Sequence, residues 1–308
     1  PANPVNGQVW YNSGTLKGHK VSTVGAWATG GNLNTARGGQ LGAGTYTAAL
    51  MFASDQSPTA QTNESYNGSA WTELADLNTS LIKSTGFGAT TSAAIRCSGA
   101  TPPGTGSALT ESWNGSSWTE VGDQNQATEQ RGSVSGTTTA GLIFGGQLPG
   151  APMQDAAEQW NGSAWTEVGD LNTARYLFSG SGTTTAGLAF GGDTDPGKRA
   201  FTESWNGSSW TEVNDLSTAR DTLIGYGTSS ASFAVGGSTP PISALTESWN
   251  GTSWTEVNDL NTARTALSSA RVGTPTAGLV FAGSTGSVTG ATEEWNEPSS
   301  SVVSFTVS

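Results

Sequence analysis

Apolar positions in this chain fall in short runs closed by Gly, Ser, Thr or Asn. No window carries them at the 3.6-residue spacing of a helix. The punctuation recurs about every ten residues and predicts many short strands joined by tight turns. The strands follow a repeated order. An apolar run ends in a pair of small residues, as in Leu142–Gly146 (LIFGG), Leu188–Gly192 (LAFGG), Phe233–Gly237 (FAVGG) and Leu279–Gly283 (LVFAG), with drifted copies at Leu50–Ser54 and Ile95–Gly99. An aromatic strand, an Asn-Gly turn and a Trp strand follow, typified by Thr202–Arg220 (TESWNGSSWTEVNDLSTAR). Asn-Gly between β-prone flanks is the strongest short hairpin signal, because a tight hairpin needs positive φ at its central residues.

Two aromatic series measure the period. The second Trp of the string recurs as Trp27, Trp71, Trp118, Trp165, Trp210 and Trp254. The aromatic before the turn recurs as Tyr66, Trp113, Trp160, Trp205, Trp249 and Trp295. Both series have six members about 46 residues apart, the period of four-stranded propeller blades. The expected fold is all-β: a six-bladed β-propeller of four-stranded antiparallel blades. Thr23–Leu33 carries a fourth strand with no three before it, and Ala291–Asn296 a third strand with no fourth after it. These two are expected to pair and close the ring, removing the exposed edges an open array would leave. Residues 1–22 then form an N-terminal hairpin or attachment segment, residues 23–296 the propeller, and residues 297–308 a tail. Within the tail, Val302–Val307 is apolar and β-prone, suited to an added strand on the hairpin or on another subunit.

Composition narrows the function. The 308 residues carry 12 Lys and Arg against 24 Asp and Glu, a net charge of −12. No basic surface is available to track phosphates, so no nucleic-acid partner is expected. No stretch approaches the ~20 apolar residues of a membrane span. Most acids belong to the repeat, where they read as turn caps and solvated edges. Cys97 stands where other repeats have Phe144, Phe190 or Phe281 and is expected to be a core thiol. His19, the only histidine, lies on the N-terminal hairpin. One His and one Cys supply neither a metal cluster nor a nucleophile–base pair. No cofactor or metal is called for, and the chain reads as a non-enzyme. A two-carboxylate glycosidase is the enzymatic alternative, drawing on the non-repeat acids Asp55, Glu129, Asp155, Asp193, Asp195 and Asp221.

In an antiparallel blade the first and third turns share one face of the disc; the second turns and the inter-blade links share the other. The first turns (Gly136–Ala140, Gly182–Ala186) and the Asn-Gly turns hardly vary, whereas the second turns vary freely. A rigid ring with diverse loops on one face is how scaffolds present binding residues. The candidate ligand-binding residues are therefore Met153 and Asp155 in one loop, Asp193, Asp195, Lys198 and Arg199 in the next, and the adjoining Phe201. On the same face Arg37, Arg175, Arg220 and Arg264 end the inter-blade turns, with Leu81 and Thr128 in the other two. At the rim of the central channel these arginines would grip an anionic or hydroxyl-rich ligand through forked hydrogen bonds. Paired with repeat acids such as Glu203 and Glu247, they would instead glue the blades together. The Asn-Gly-Ser/Thr strings also match glycosylation acceptors, but the hairpin turn accounts for them.

The apolar run ending in Gly-Gly, the aromatic strand, the Trp about five residues on and the turn ending in Arg resemble the Kelch family of propeller repeats, over Thr23 to Asn296. The double glycine is intact in Gly145-Gly146, Gly191-Gly192 and Gly236-Gly237. The resemblance implies a binding module. The copper oxidases of that family build their site from Tyr and His ligands and a Tyr–Cys crosslink, a set that one His does not supply. Gly7–Val21 (GQVWYNSGTLKGHKV), followed by GAWATGGNLNTAR, resembles tail-fibre and other virion structural proteins of tailed phages, especially marine and cyanobacterial ones. This second resemblance implies a virion or extracellular location. It also implies a host-surface glycan or protein receptor as partner, with other virion proteins or self-association engaging residues 1–22 and 297–308. The expectation is a non-enzymatic tail-fibre or decoration protein that binds a host-surface ligand, glycan first, through the variable loops. The alternatives are a purely structural virion or extracellular assembly subunit, and a glycan-cleaving enzyme.

Overall fold

The computed structural model describes residues 9–12, 15–21, 25–39, 41–102, 104–148, 150, 152–274, 276–297 and 300–305. Six four-stranded antiparallel sheets form a ring, the expected six-bladed propeller. Blades 1 to 5 span residues 43–73, 85–121, 132–168, 179–213 and 224–256. Blade 6 takes three strands from residues 268–296 and its outermost strand, Ala26–Thr29, from the other end of the chain. Trp295 lies opposite Trp27 in that pairing, so the ring is closed as the two incomplete repeats predict. A three-stranded sheet outside the blades joins Val9–Asn12, Thr15–Val21 and Ser300–Phe305. Its tail strand runs antiparallel to the second hairpin strand, from Leu16 opposite Phe305 to Val21 opposite Ser300.

The third turns depart from the expected geometry. Trp160 pairs directly with Trp165, leaving a four-residue loop, and Asn161 N–H donates to the Ala164 carbonyl. Only the glycine of each Asn-Gly pair is left-handed, with φ of +97° at Gly162. The asparagine does different work. Asn161 Oδ1 accepts the Ser163 and Ala164 N–H groups and the Ser163 hydroxyl, a side-chain turn that mimics backbone.

Aromatic packing holds blade to blade. The outer-strand Trp lies against a Phe of the preceding blade's second strand: Trp71 on Phe281, Trp118 on Phe52, Trp210 on Phe144 and Trp254 on Phe190, with ring centroids 4.8–5.2 Å apart. In blade 2 that Phe position is Cys97, and Trp165 rests on Phe87 of the first strand instead. The indole N–H completes the contact by donating to the threonine that opens the preceding blade's third strand. Trp27 reaches Thr246, Trp71 reaches Thr292, Trp165 reaches Thr110 and Trp254 reaches Thr202, all at 3.1–3.2 Å.

Two interfaces lack this bond. Asn63 and Ala157 stand in the threonine position of blades 1 and 3, and the indole nitrogens facing them, Trp118 Nε1 and Trp210 Nε1, are buried without a partner. Ala157→Thr is expected to give Trp210 its acceptor and raise the unfolding free energy by about 1 kcal/mol. Thr202→Ala, which orphans Trp254, is expected to lower it by about 1–3 kcal/mol. Urea unfolding followed by tryptophan fluorescence measures both.

Candidate functional site

Each blade buries one glutamate of its third strand: Glu64, Glu111, Glu158, Glu203, Glu247 and Glu293, none more than 3% exposed. A buried carboxylate is tolerated only when paired and hydrogen-bonded, and the inter-blade link supplies both. In blade 4, Glu203 Oε2 accepts the backbone N–H of Asn172 at 2.7 Å and its Nδ2–H at 2.8 Å, while Oε1 accepts Arg175 Nη1–H at 2.7 Å. Arg37, Arg220 and Arg264 meet Glu64, Glu247 and Glu293 in the same way. The guanidiniums also donate to carbonyls of their own blade, as Arg264 does to Ala282 and Ala291. Burial pulls these arginines below their ordinary pKa, and the facing glutamates pull them back up.

The rim position expected of Arg37, Arg175, Arg220 and Arg264 is therefore not what they hold. They are fully buried over the second and third strands, and the blade-bridging alternative describes their geometry. The two blades without an arginine in the link are not without one in space. Arg96, directly across the sheet from Glu111, donates to it at 2.8 Å, and Arg131, just before the first strand at Gly132–Ser133, donates to Glu158 at 2.7 Å. Glu203→Ala, which strands a buried guanidinium, is expected to cost about 3–5 kcal/mol. The same change at the exposed Glu212 is expected to leave the melting temperature nearly unchanged.

The central channel is a funnel. On the face of the first turns it opens into a cavity of about 290 Å³ lined by Ala89, Ser135, Gly136, Thr183, Gly227 and Val272 among others, with no ionisable side chain. On the variable-loop face it narrows to about 10 Å³, where every blade contributes, among the lining residues Asp55, Lys83, Gln130, Leu177, Thr222 and Ala266. The last five are left-handed, with φ from +49° to +55°, a region that costs a non-glycine residue and most of all a β-branched one such as Thr222. Their turned backbone builds a partial hoop across blades. Thr222 N–H donates to the Leu177 carbonyl at 2.7 Å and Ala266 N–H to the Thr222 carbonyl at 3.0 Å.

Enclosure in this throat pushes the Asp55 carboxyl up to about 7, against the backbone N–H and charge of Lys83; Glu129, which is paired with Lys83 at 2.8 Å, adds to the rise. A folded-state value above the unfolded ~3.9 means the native state holds the proton more tightly. Stability is then greatest below about pH 4 as far as this group is concerned, and is lost as pH rises toward 7. Asp55→Asn is expected to match the wild-type melting temperature at pH 4 and exceed it at pH 8.

The candidate loop residues divide between two neighbouring loops. Met153 is half-buried and Asp155 exposed on the loop of blade 3. Asp193, Asp195, Lys198, Arg199 and Phe201 come together on the loop of blade 4 and its base. Lys198 is tied to blade 5, through Asp221 Oδ2 at 2.6 Å and Ser238 Oγ at 3.1 Å. Arg199 Nε–H donates to Thr194 Oγ1 at 2.5 Å, and its guanidinium lies 5.6 Å from the centre of the Phe201 ring, which is 37% exposed. The role of Asp221 as the Lys198 partner, and a trough running from Phe201 along the outer strand, are not apparent in the sequence. Glu212, which borders that trough, belongs to the WTEV or WTEL string that recurs in most blades and reads as framework. Among the described residues no three His, Cys, Asp or Glu side chains gather to hold a metal, and no helix is long and apolar enough to cross a membrane.

Compared with known proteins, the chain matches no family model and no curated protein. Its class is therefore defined by fold: a six-bladed β-propeller of four-stranded blades.

Proposed function

We propose that this chain is a non-enzymatic receptor-binding disc of the tail-fibre or decoration type, located on a virion, that engages a host-surface ligand, glycan first, through its variable-loop face. The polarity of the disc carries this reading. Asn296 pairs with Ala26 at the end of blade 6 where the other blades place their Asn-Gly loops. Both chain ends, and the sheet they form, thus join the disc at the uniform face. The loops that differ from blade to blade lie on the opposite face, free to meet a ligand while the terminal sheet is attached to a particle. The motif likeness of Gly7–Val21 to phage fibre proteins supports the same location. Burial pushes the Cys97 thiol up to about 12, which argues against its use as a nucleophile at neutral pH.

A purely structural assembly subunit is the second reading. It is favoured by the Ser300–Phe305 strand, which has a paired edge on the hairpin and, among the described residues, no strand on its other edge. Such an edge is a template for another chain.

Labelled protein added to candidate host cells separates the two. Saturable binding, displaced by soluble surface polysaccharide and lost when the Gln147–Ala157 or Asp193–Ala200 loop is exchanged, is the expected outcome. A protein that binds no cells, yet forms oligomers that vanish when residues 297–308 are removed, fits the structural subunit instead.

A further inference from the structure

Blade 4 departs from the other five at one place on its outer wall. The residue before the third strand is Thr62, Leu109, Ala156, Leu245 or Ala291 elsewhere, each half-buried; in blade 4 it is the exposed Phe201. Phe201 borders a hollow of about 130 Å³ together with Thr173, Glu212, Val213 and Asp215. Glu212 and Val213 also line the adjoining hollow of about 440 Å³, which runs on to Asn214 and the Gly251–Thr252 turn of blade 5. The two make one trough along the outer strand Trp210–Val213, with an aromatic face at the loop end and carboxylates along its length.

The chemistry of the trough selects its occupant. Phe201 offers a flat apolar surface, the part of a binding site that contributes most contact area. Glu212 is exposed, and its carboxylate makes no ion pair or hydrogen bond among the described residues. Asp215 uses Oδ1 to accept the Thr202 N–H at 3.0 Å, which leaves Oδ2 to the trough. Carboxylates take strong hydrogen bonds from hydroxyl donors and repel other anions at close range. A ligand with one apolar face, a rim of hydroxyls and no negative charge satisfies both ends of the trough at once. Arg199 lies over one face of the Phe201 ring and opposes a cationic occupant at that end; the 37% of Phe201 left exposed is the surface open to a ligand.

We propose that this trough binds a linear, uncharged oligosaccharide, with one pyranose ring on Phe201 and neighbouring hydroxyls donating to Glu212 and Asp215. This rests on the receptor-binding reading and places the contact at the base of the Asp193–Ala200 loop, where Phe201 follows it.

Calorimetric titration of the intact chain tests it. The probes are neutral tetrasaccharides (β-1,4-glucan and α-1,6-mannan), a tetra-uronate and tetralysine. At least one neutral tetrasaccharide is expected to bind, and the tetra-uronate is not. Phe201→Ala should weaken that binding about tenfold or more, the equivalent of ~1.4 kcal/mol, with an unchanged melting temperature. Phe201→Trp should retain it, and Glu212→Gln should weaken it several-fold. Neutral-sugar binding that survives Phe201→Ala and Glu212→Gln but is lost on exchanging Gln147–Ala157 overturns the trough and leaves receptor binding in place. So does binding to host cells with no neutral tetrasaccharide bound, or with tetralysine bound in its stead. Absence of cell binding as well removes the reading on which the trough rests.

Discussion

A glutamate carboxylate sealed inside every blade is the constraint around which this disc is organised. Desolvating it costs several kcal/mol unless donors surround it, and the donors come from the segment that enters the blade from its neighbour. In blade 4 the Asn172 backbone and side chain and the Arg175 guanidinium fill both carboxylate oxygens of Glu203. The link therefore cannot leave the blade without exposing an unpaired charge, and neighbouring blades are locked in sequence around the ring. Blades 2 and 3 show which partner is indispensable. The arginine at the usual link position is lost in both, yet Arg96 from the second strand and Arg131 from just before the first strand reach the same carboxylate.

The consequences reach the surface. Six buried pairs use six of the 24 acids and six of the 12 bases, so the whole net charge of −12 lies outside them. The outer wall carries the exposed Glu and Asp of the repeat, while the funnel mouth on the uniform face has no ionisable lining. Among the described residues the channel mouth thus offers no charge, unlike the loop face and the wall beside it. The tryptophans of the blades, a residue type suited to stacking on sugars, are consumed between blades by Phe and Thr partners. Among the described residues Phe201 is the exposed aromatic on the loop side.

Much of the architecture could be read from residue order because its causes are local. A Trp series at constant spacing, small-residue pairs after apolar runs and a four-residue Asn-Gly-Ser turn each act within one hairpin, and hairpins repeated six times have few ways to pack. The incomplete repeats at Trp27 and Trp295 likewise announced ring closure, since an unmatched third strand and an unmatched fourth strand complete one another. The site was less legible. Arg37, Arg175, Arg220 and Arg264 are visible as a pattern, but whether a guanidinium faces a channel or a carboxylate depends on how far the link folds over the blade.

Residue order alone was enough for the fold class, the number of blades, the strand that closes the ring and the division into a uniform and a variable face, because periodicity and turn chemistry are properties of neighbouring residues. The assembled ring was needed to show that Arg96 and Arg131 replace the missing link arginines, that Trp118 and Trp210 lack the acceptor their counterparts have, that the channel narrows on the loop side, and that Phe201 and Glu212 share one trough. Each of these joins residues from different strands or blades. Their proximity is set by the packing of whole sheets, which no local pattern encodes.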